Sequence, residues 1–219
     1  MQNKVIDLTQ LLNEEMPVYP GTPAPILEIS NIVEKDGFTE RRLNMVSHTG
    51  THIDAPCHIL QNAKSLTSFP PDKFIGPAMV IPCKGMKEIG LEFIQTFETQ
   101  ISKVDFIIFY TGWQDKWNTR SYFEDCPVPT REAAIWLTKF KLKGLGVDAF
   151  SLDKIVPATI VTEENLPNHY IFLGKEILLI ENLTNIDQLP EANFSFQCFP
   201  LKIENADGSP VRAIAIINE

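Results

Sequence analysis

The sequence predicts an α/β (α+β) protein, a single domain over residues 1–219 built around a mixed sheet. Three observations lead there. Short apolar runs alternate with segments whose apolar residues recur at helical spacing. One run, Val104 to Tyr110, is apolar almost without a break, as a strand covered on both faces requires. The chain has 219 residues, 44% hydrophobic and 21% charged, with no repeat, low-complexity tract or Pro/Gly/Ser linker, which suits one compact unit.

Taken in order, Val5 to Leu8 reads as a short strand, and Met16 to Pro23, punctuated by three prolines, as a loop. Ile26 to Val33 and Arg42 to Ser47 read as strands, the second running into a histidine cluster. Ala78 to Pro82 is a short apolar strand. Leu91 to Ile101 reads as a helix, with Leu91, Ile94, Phe97 and Ile101 on one face. Thr130 is the N-cap candidate of a helix burying Ala133, Trp136, Leu137 and Phe140. Leu145 to Asp148, Ile177 to Ile180 and Val211 to Ile216 complete the predicted strands. The pattern leaves strand order open.

The densest chemistry lies at His48-Thr-Gly-Thr-His52-Ile-Asp54-Ala-Pro-Cys-His58, which holds three of the four histidines. Imidazole and carboxylate are ligands for zinc and similar divalent ions. The spacing dictates a bend. Thr49, Gly50 and Thr51 are poor helix formers, and Pro56 follows. A straight strand puts His48, His52, Asp54 and His58 on one face but sets His48 and His52 about 13 Å apart. Two ligands about 2 Å from one ion cannot stand so far apart. The expected path is therefore a strand ending near His48, a turn at Gly50, and a loop returning His52 and Asp54, its exit stiffened by Pro56. Three ligands leave a fourth position for water, the catalytic pattern. A structural metal site favours cysteine-rich sets, and Cys57 has the wrong parity for this face. Taken alone, His169 reads as a surface or hydrogen-bonded residue and Glu181 as the tip of a core strand. Spacing does not tie either to the cluster.

These residues resemble the cyclase-like family of metal-dependent hydrolases, which includes bacterial kynurenine formamidase and isatin hydrolase. The signature H-x-G-T-H-x-D-x-P-x-H is matched in full from His48 to His58. The likeness continues at Met16 to Gly21, Thr111 to Trp113, Gly146 to Asp148, Ser151 to Asp153, His169, Glu181 to Leu183 and Gly208 to Arg212. The resemblance implies a swivelling β/β/α-type fold and a homodimer or homotetramer. It implies that His48, His52 and Asp54 hold one metal, and that His169 and Glu181 join Asp54 at a neighbouring position. One or two divalent ions per chain are expected, zinc first and manganese as the alternative. His58 is implied to be a proton-transfer residue rather than a ligand.

The reading that follows is hydrolysis of a small amide or formamide, N-formylkynurenine first and cyclic amides or lactones such as isatin next. A bound metal lowers the pKa of its water toward about 7. Histidine, with an ordinary pKa near 6.5, suits proton transfer to the leaving nitrogen. A serine-hydrolase route lacks its G-x-S-x-G elbow. A Cys57–His58 pair is disfavoured because adjacent residues of an extended segment point apart. The rival of another class is a metal-dependent binding protein without turnover. Against it stands His58, one histidine more than a single ion needs. Tyr19, Trp113 and Phe38 are aromatic candidates for the pocket wall.

A net charge of −9 and a pI near 5.0 argue against nucleic acid or an anionic membrane as partner. No apolar run reaches membrane-span length, and the N-terminus lacks a signal-peptide core. A cytoplasmic location is expected. The four cysteines, without a C-x-x-C pair, read as free thiols.

Overall fold

The structure, a computed structural model, describes residues 3–155 and 161–218. Its strands are β1 (Asn3–Asp7), β2 (Ile26–Asn31), β3 (Glu40–Asn44), β4 (His52–Asp54), β5 (Ile75–Pro82), β6 (Phe106–Tyr110), β7 (Gly144–Val147), β8 (Leu178–Glu181), β9 (Phe194–Gln197), β10 (Gly208–Pro210) and β11 (Ile214–Asn218). Its helices are α1 (Val33–Asp36), α2 (Leu91–Gln95), α3 (Glu98–Ile101), α4 (Arg131–Leu137) and α5 (Pro167–Leu173). Nine strands make one mixed sheet in the order β1-β11-β9-β5-β6-β7-β8-β4-β10, and β2 with β3 forms a separate hairpin. The centre, β5 to β8, is parallel; the flanking pairs are antiparallel.

The apolar run of β6 explains why two cores exist. Ile107 and Phe109 point to one face, where Ile94, Ile101, Ala133, Leu137 and Phe172 from the helices cover them. Phe106 and Ile108 point to the other. There they meet Ile6 and Ala215 from one end of the sheet and Ile53 from the other. Strands from both ends share this core with the centre, so the sheet curls around it. Gly146 lies opposite Ile108, and a Cβ there would stand 2.7 Å from Leu183 Cδ1. The missing side chain is what lets Leu183 in.

The sequence-based elements hold with local changes. Thr130 accepts from Ala133 N at 3.3 Å and caps α4, which buries Ala133, Trp136 and Leu137. Phe140 lies beyond the helix end yet packs on Trp136, centroids 4.7 Å apart. The single helix expected over 91–101 is two, because Thr96 Oγ1 bonds back to the Phe93 carbonyl at 2.6 Å and the chain leaves helical geometry at Phe97. The strand expected to reach Ser47 stops at Asn44, and the one expected from Val211 begins at Ile214. All four cysteines are free. Among the described residues, no helix is long and apolar enough to cross a membrane.

Phe106 is fully buried and meets Phe196 edge to face at 5.2 Å. Phe106→Ala should cost about 3–5 kcal/mol, read as a lowered urea midpoint. Phe38→Ala, on the exposed hairpin, should stay within about 0.5 kcal/mol.

Candidate metal centre

The site begins with a reversal. Gly50 sits at φ +65°, where a Cβ is strained, and a Cβ there would also stand 2.5 Å from Leu12 Cδ2. The turn brings the His48 and His52 rings to 5.1 Å, against about 13 Å for an extended chain. The return segment differs from expectation. His52 and Asp54 lie on a strand, β4, not in a loop, because β8 and β10 sandwich it and supply ladder partners on both edges. Both residues face one side, as their parity requires. His52 stands opposite Glu181 in the β4–β8 register, which delivers that carboxylate to the same place.

His169 arrives from the opposite direction and is buried rather than on the surface. It lies in the first turn of α5, with Pro167 at the helix start. The Asp153 carboxylate accepts from the backbone N–H of Asn168 at 3.0 Å and of His169 at 2.9 Å. One side chain thus satisfies two orphan amides of the helix end. The same carboxylate bonds His169 Nδ1 at 2.8 Å, leaving Nε2 pointed inward. The end of β8 is lashed to the Gly50 turn by Asn182, whose Nδ2 donates to the Gly50 carbonyl at 2.8 Å.

All six predicted site residues therefore surround one cavity. The inward donors sit in a ring. His52 Nε2 is 3.3 Å from Asp54 Oδ1 and 3.5 Å from Glu181 Oε2. His169 Nε2 is 3.4 Å from Glu181 Oε1 and 3.7 Å from Asp54 Oδ2. A tetrahedral ion with donors at 2.0–2.1 Å has donor–donor edges of about 3.3 Å. These separations match such edges better than they match hydrogen bonds. Asp54 Oδ2 is buried with no hydrogen-bond partner, an orphan that a cation would satisfy. Two overlapping triads, His48–His52–Asp54 and Asp54–His169–Glu181, each bring their donor atoms within 4.8 Å of one another. Asp54 belongs to both. The residues fit a divalent ion, and they leave room for one or two.

The electrostatics agree. Burial opposes charge on His48, but Asp54 and Asp207 outweigh it and hold the imidazole up at about 10. Burial likewise opposes charge on His52 and His169, yet the neighbouring carboxylates raise both. Burial opposes charge on Asp54 too, and the surrounding imidazoles carry it well below the usual carboxylate range. The cluster balances buried charge with buried charge. His58 differs: burial, helped by the charges on His48 and His169, pulls it down to about 4 against Asp54 and Asp207. It is neutral at pH 7 and able to accept a proton. Its ring lies 3.9 Å from that of His48, at the cavity wall.

The cavity measures about 570 Å³. Val18, Tyr19, Val46, Phe123, Phe150 and Leu166 make an apolar wall above the polar floor. Of the aromatic candidates only Tyr19 lines it. Trp113 donates Nε1 to the Tyr122 carbonyl at 2.7 Å and packs on the core, and Phe38 is out on the hairpin. Burial raises the Cys57 thiol pKa, with Asp207 adding to the effect, so the thiolate nucleophile is disfavoured.

The Cyclase family model matches residues 6–154, more than half of the chain. The chain belongs to the cyclase family. A kynurenine formamidase of Geobacillus thermodenitrificans (strain NG80-2) is 34% identical over 215 residues, covering 97% of each chain. One from Bacillus cytotoxicus is 30% identical over 210 residues, covering 95% of each. Among solved structures, isatin hydrolase A of Labrenzia aggregata bound to benzyl benzoate superposes with a TM-score of 0.86 at 27% identity. That match covers 99% of this chain and 94% of the other. The mixed sheet described above is the cyclase-family fold.

Sequence reasoning did not find Asp207 as a site residue. Its Oδ2 lies 3.0 Å from His48 Nε2 and 3.8 Å from His58 Nδ1, on a turn 159 positions from His48. Only its place beside the Gly208 to Arg212 stretch marked it in sequence.

Asp54→Ala removes the donor common to both triads. Metal analysis after dialysis against zinc should find bound metal lost almost entirely, while Cys57→Ser retains wild-type content.

Proposed function

We propose that this cyclase-family chain is a metal-dependent hydrolase that cleaves the C–N bond of a small aryl formamide, with N-formylkynurenine as the favoured substrate. The observation that carries the reading is the orphaned Asp54 oxygen inside a ring of imidazoles and carboxylates, beneath an apolar cavity wall. The two kynurenine formamidases covering nearly the whole chain support the substrate. The isatin hydrolase likeness favours a cyclic amide as the second reading.

His48, His52, Asp54, His169 and Glu181 would hold the ion or ions, zinc first and manganese as the alternative. When bound, a divalent ion supplies Lewis acidity and an activated water at neutral pH. The chain's own groups do the rest. Tyr19, Phe123 and Phe150 receive an aromatic ring and exclude water from one side of it. Neutral His58 takes a proton from the attacking water at a ring nitrogen and passes it to the leaving nitrogen. The released formate and arylamine leave through the open mouth of the cavity. The free thiols fit a cytoplasmic setting and the substrate fits tryptophan breakdown, both as parts of this proposal.

A homodimer or homotetramer is the proposed assembly. Ile29 and Leu43, which point to the same face of the hairpin, are more than half exposed, an apolar patch that a second copy would cover. Light scattering should give a multiple of 24.7 kDa, and Ile29→Glu with Leu43→Glu should shift the mass toward one chain.

Purified protein with added zinc or manganese should hydrolyse N-formylkynurenine and stop after chelation. No turnover with metal bound would remove this substrate and turn the search to isatin. His58→Ala should lower kcat by roughly 10²–10⁴-fold while keeping its metal. Equal loss of metal and turnover would instead make His58 a ligand.

A further inference from the structure

Each inward-facing imidazole has its other ring nitrogen tied down. His52 Nδ1 bonds the Gly50 carbonyl at 2.9 Å, and His169 Nδ1 bonds Asp153 at 2.8 Å. His48 is turned the other way round. Its Nδ1 faces Asp54 Oδ1 at 2.7 Å, and its Nε2 faces Asp207 Oδ2 at 3.0 Å. We infer that Asp207 is a positioning residue for the metal centre: it accepts the Nε2–H of His48 and so leaves Nδ1, which gives up its proton when an ion binds, as the nitrogen that faces the ion. The inference rests on the metal reading given above.

The placement of Asp207 is built into the sheet. β10 starts at Gly208, which pairs with Asp54 across the β4–β10 ladder. The Asp207 carbonyl accepts the Ala55 N–H at 2.8 Å, so the backbone carrying Asp207 is tied to the one carrying Asp54. Gly208 lies directly under the His48 ring, and a Cβ there would stand 2.5 Å from Cε1. The ring is thus set against backbone on one side and against the His58 ring, 3.9 Å away, on another. The Asp207 bond at one ring nitrogen and the Asp54 contact at the other together fix the ring's rotation.

Asp207 could instead be a ligand, since His48, His58 and Asp207 also bring donor atoms within 4.8 Å of one another. The chemistry of His48 argues against that role. A neutral imidazole has one lone pair to give. With Nδ1 directed at the Asp54 triad, Nε2 carries the proton and can only donate. Metal-bound histidines commonly donate their second N–H to a carboxylate, and losing that partner typically weakens metal binding 10–100-fold.

The test is zinc affinity by chelator competition, starting from metal-free protein, together with zinc stoichiometry. Wild type, Asp207→Ala, Asp207→Asn, His48→Ala and the His48→Ala/Asp207→Ala double variant are compared, each checked for folding by circular dichroism. Asp207→Ala should raise the zinc Kd about 10–100-fold with unchanged stoichiometry. Asp207→Asn, whose amide oxygen still accepts from Nε2–H, should recover part of that loss. In the His48→Ala background the Asp207 substitution should add nothing, because it acts through the missing ring. A wild-type Kd in Asp207→Ala, or full additivity in the double variant, would overturn the assignment. Loss of a whole ion from Asp207→Ala and Asp207→Asn alike would make Asp207 a ligand and also overturn it. Failure of the wild-type chain to bind zinc would overturn the metal reading itself, a result separate from the first three.

Discussion

Asp54 carries its carboxylate into the interior at 1% exposure, and a charge so placed is tolerable only when compensated. His48, His52 and His169 supply that compensation from three different segments of the chain. Their arrangement explains features that otherwise look unrelated: a glycine in left-handed geometry at 50, a three-residue strand one place in from the sheet's edge, and a short helix whose first amides are bound by a distant aspartate. Each delivers one donor to the same carboxylate. Without that demand, β4 would be a poor place for two titratable residues in a row of three.

The sheet makes the delivery rigid. β4 is clamped by β8 on one edge and β10 on the other, so Glu181 and the Asp207–Gly208 turn are placed by ladder hydrogen bonds rather than by loops. Beneath it, Ile53 points away from the site into the core shared with Phe106 and Ile108. The strand's alternation thus separates chemistry from packing, His52 and Asp54 to the cavity, Ile53 to the core. The apolar wall comes from elsewhere, chiefly the proline-rich loop carrying Val18 and Tyr19 and the segments around Phe123 and Phe150. The polar floor and most of the apolar wall come from different parts of the chain.

How much of this was readable in the sequence follows from the range of each interaction. The bend at Gly50 was legible because a metal's short reach and a strand's long rise conflict within five residues. β6 was legible because its burial on both faces shows in every residue. The capping of α4 by Thr130 is local and was likewise found. By contrast, α5 is as long as α4 but has no capping side chain of its own at Leu166, and its start is fixed by Asp153 from outside the helix. β9 and β10 are short, and β10 contains glycine and proline, so neither declares itself as a strand. His169 and Glu181 were connected to the first cluster only through family resemblance, because nothing in spacing reports a contact across more than a hundred residues. Asp207 had no signal of its own beyond its place beside the Gly208 to Arg212 stretch.

Anomalous diffraction at the zinc edge, from crystals of the zinc-loaded protein, tests the central claim most directly. The account predicts a peak within about 2.0–2.2 Å of an Asp54 oxygen, bounded by imidazole nitrogens of His48, His52 or His169. Zinc-loaded crystals with no peak at Asp54, or with the ion held only by His58 and Asp207 at the cavity wall, would contradict it.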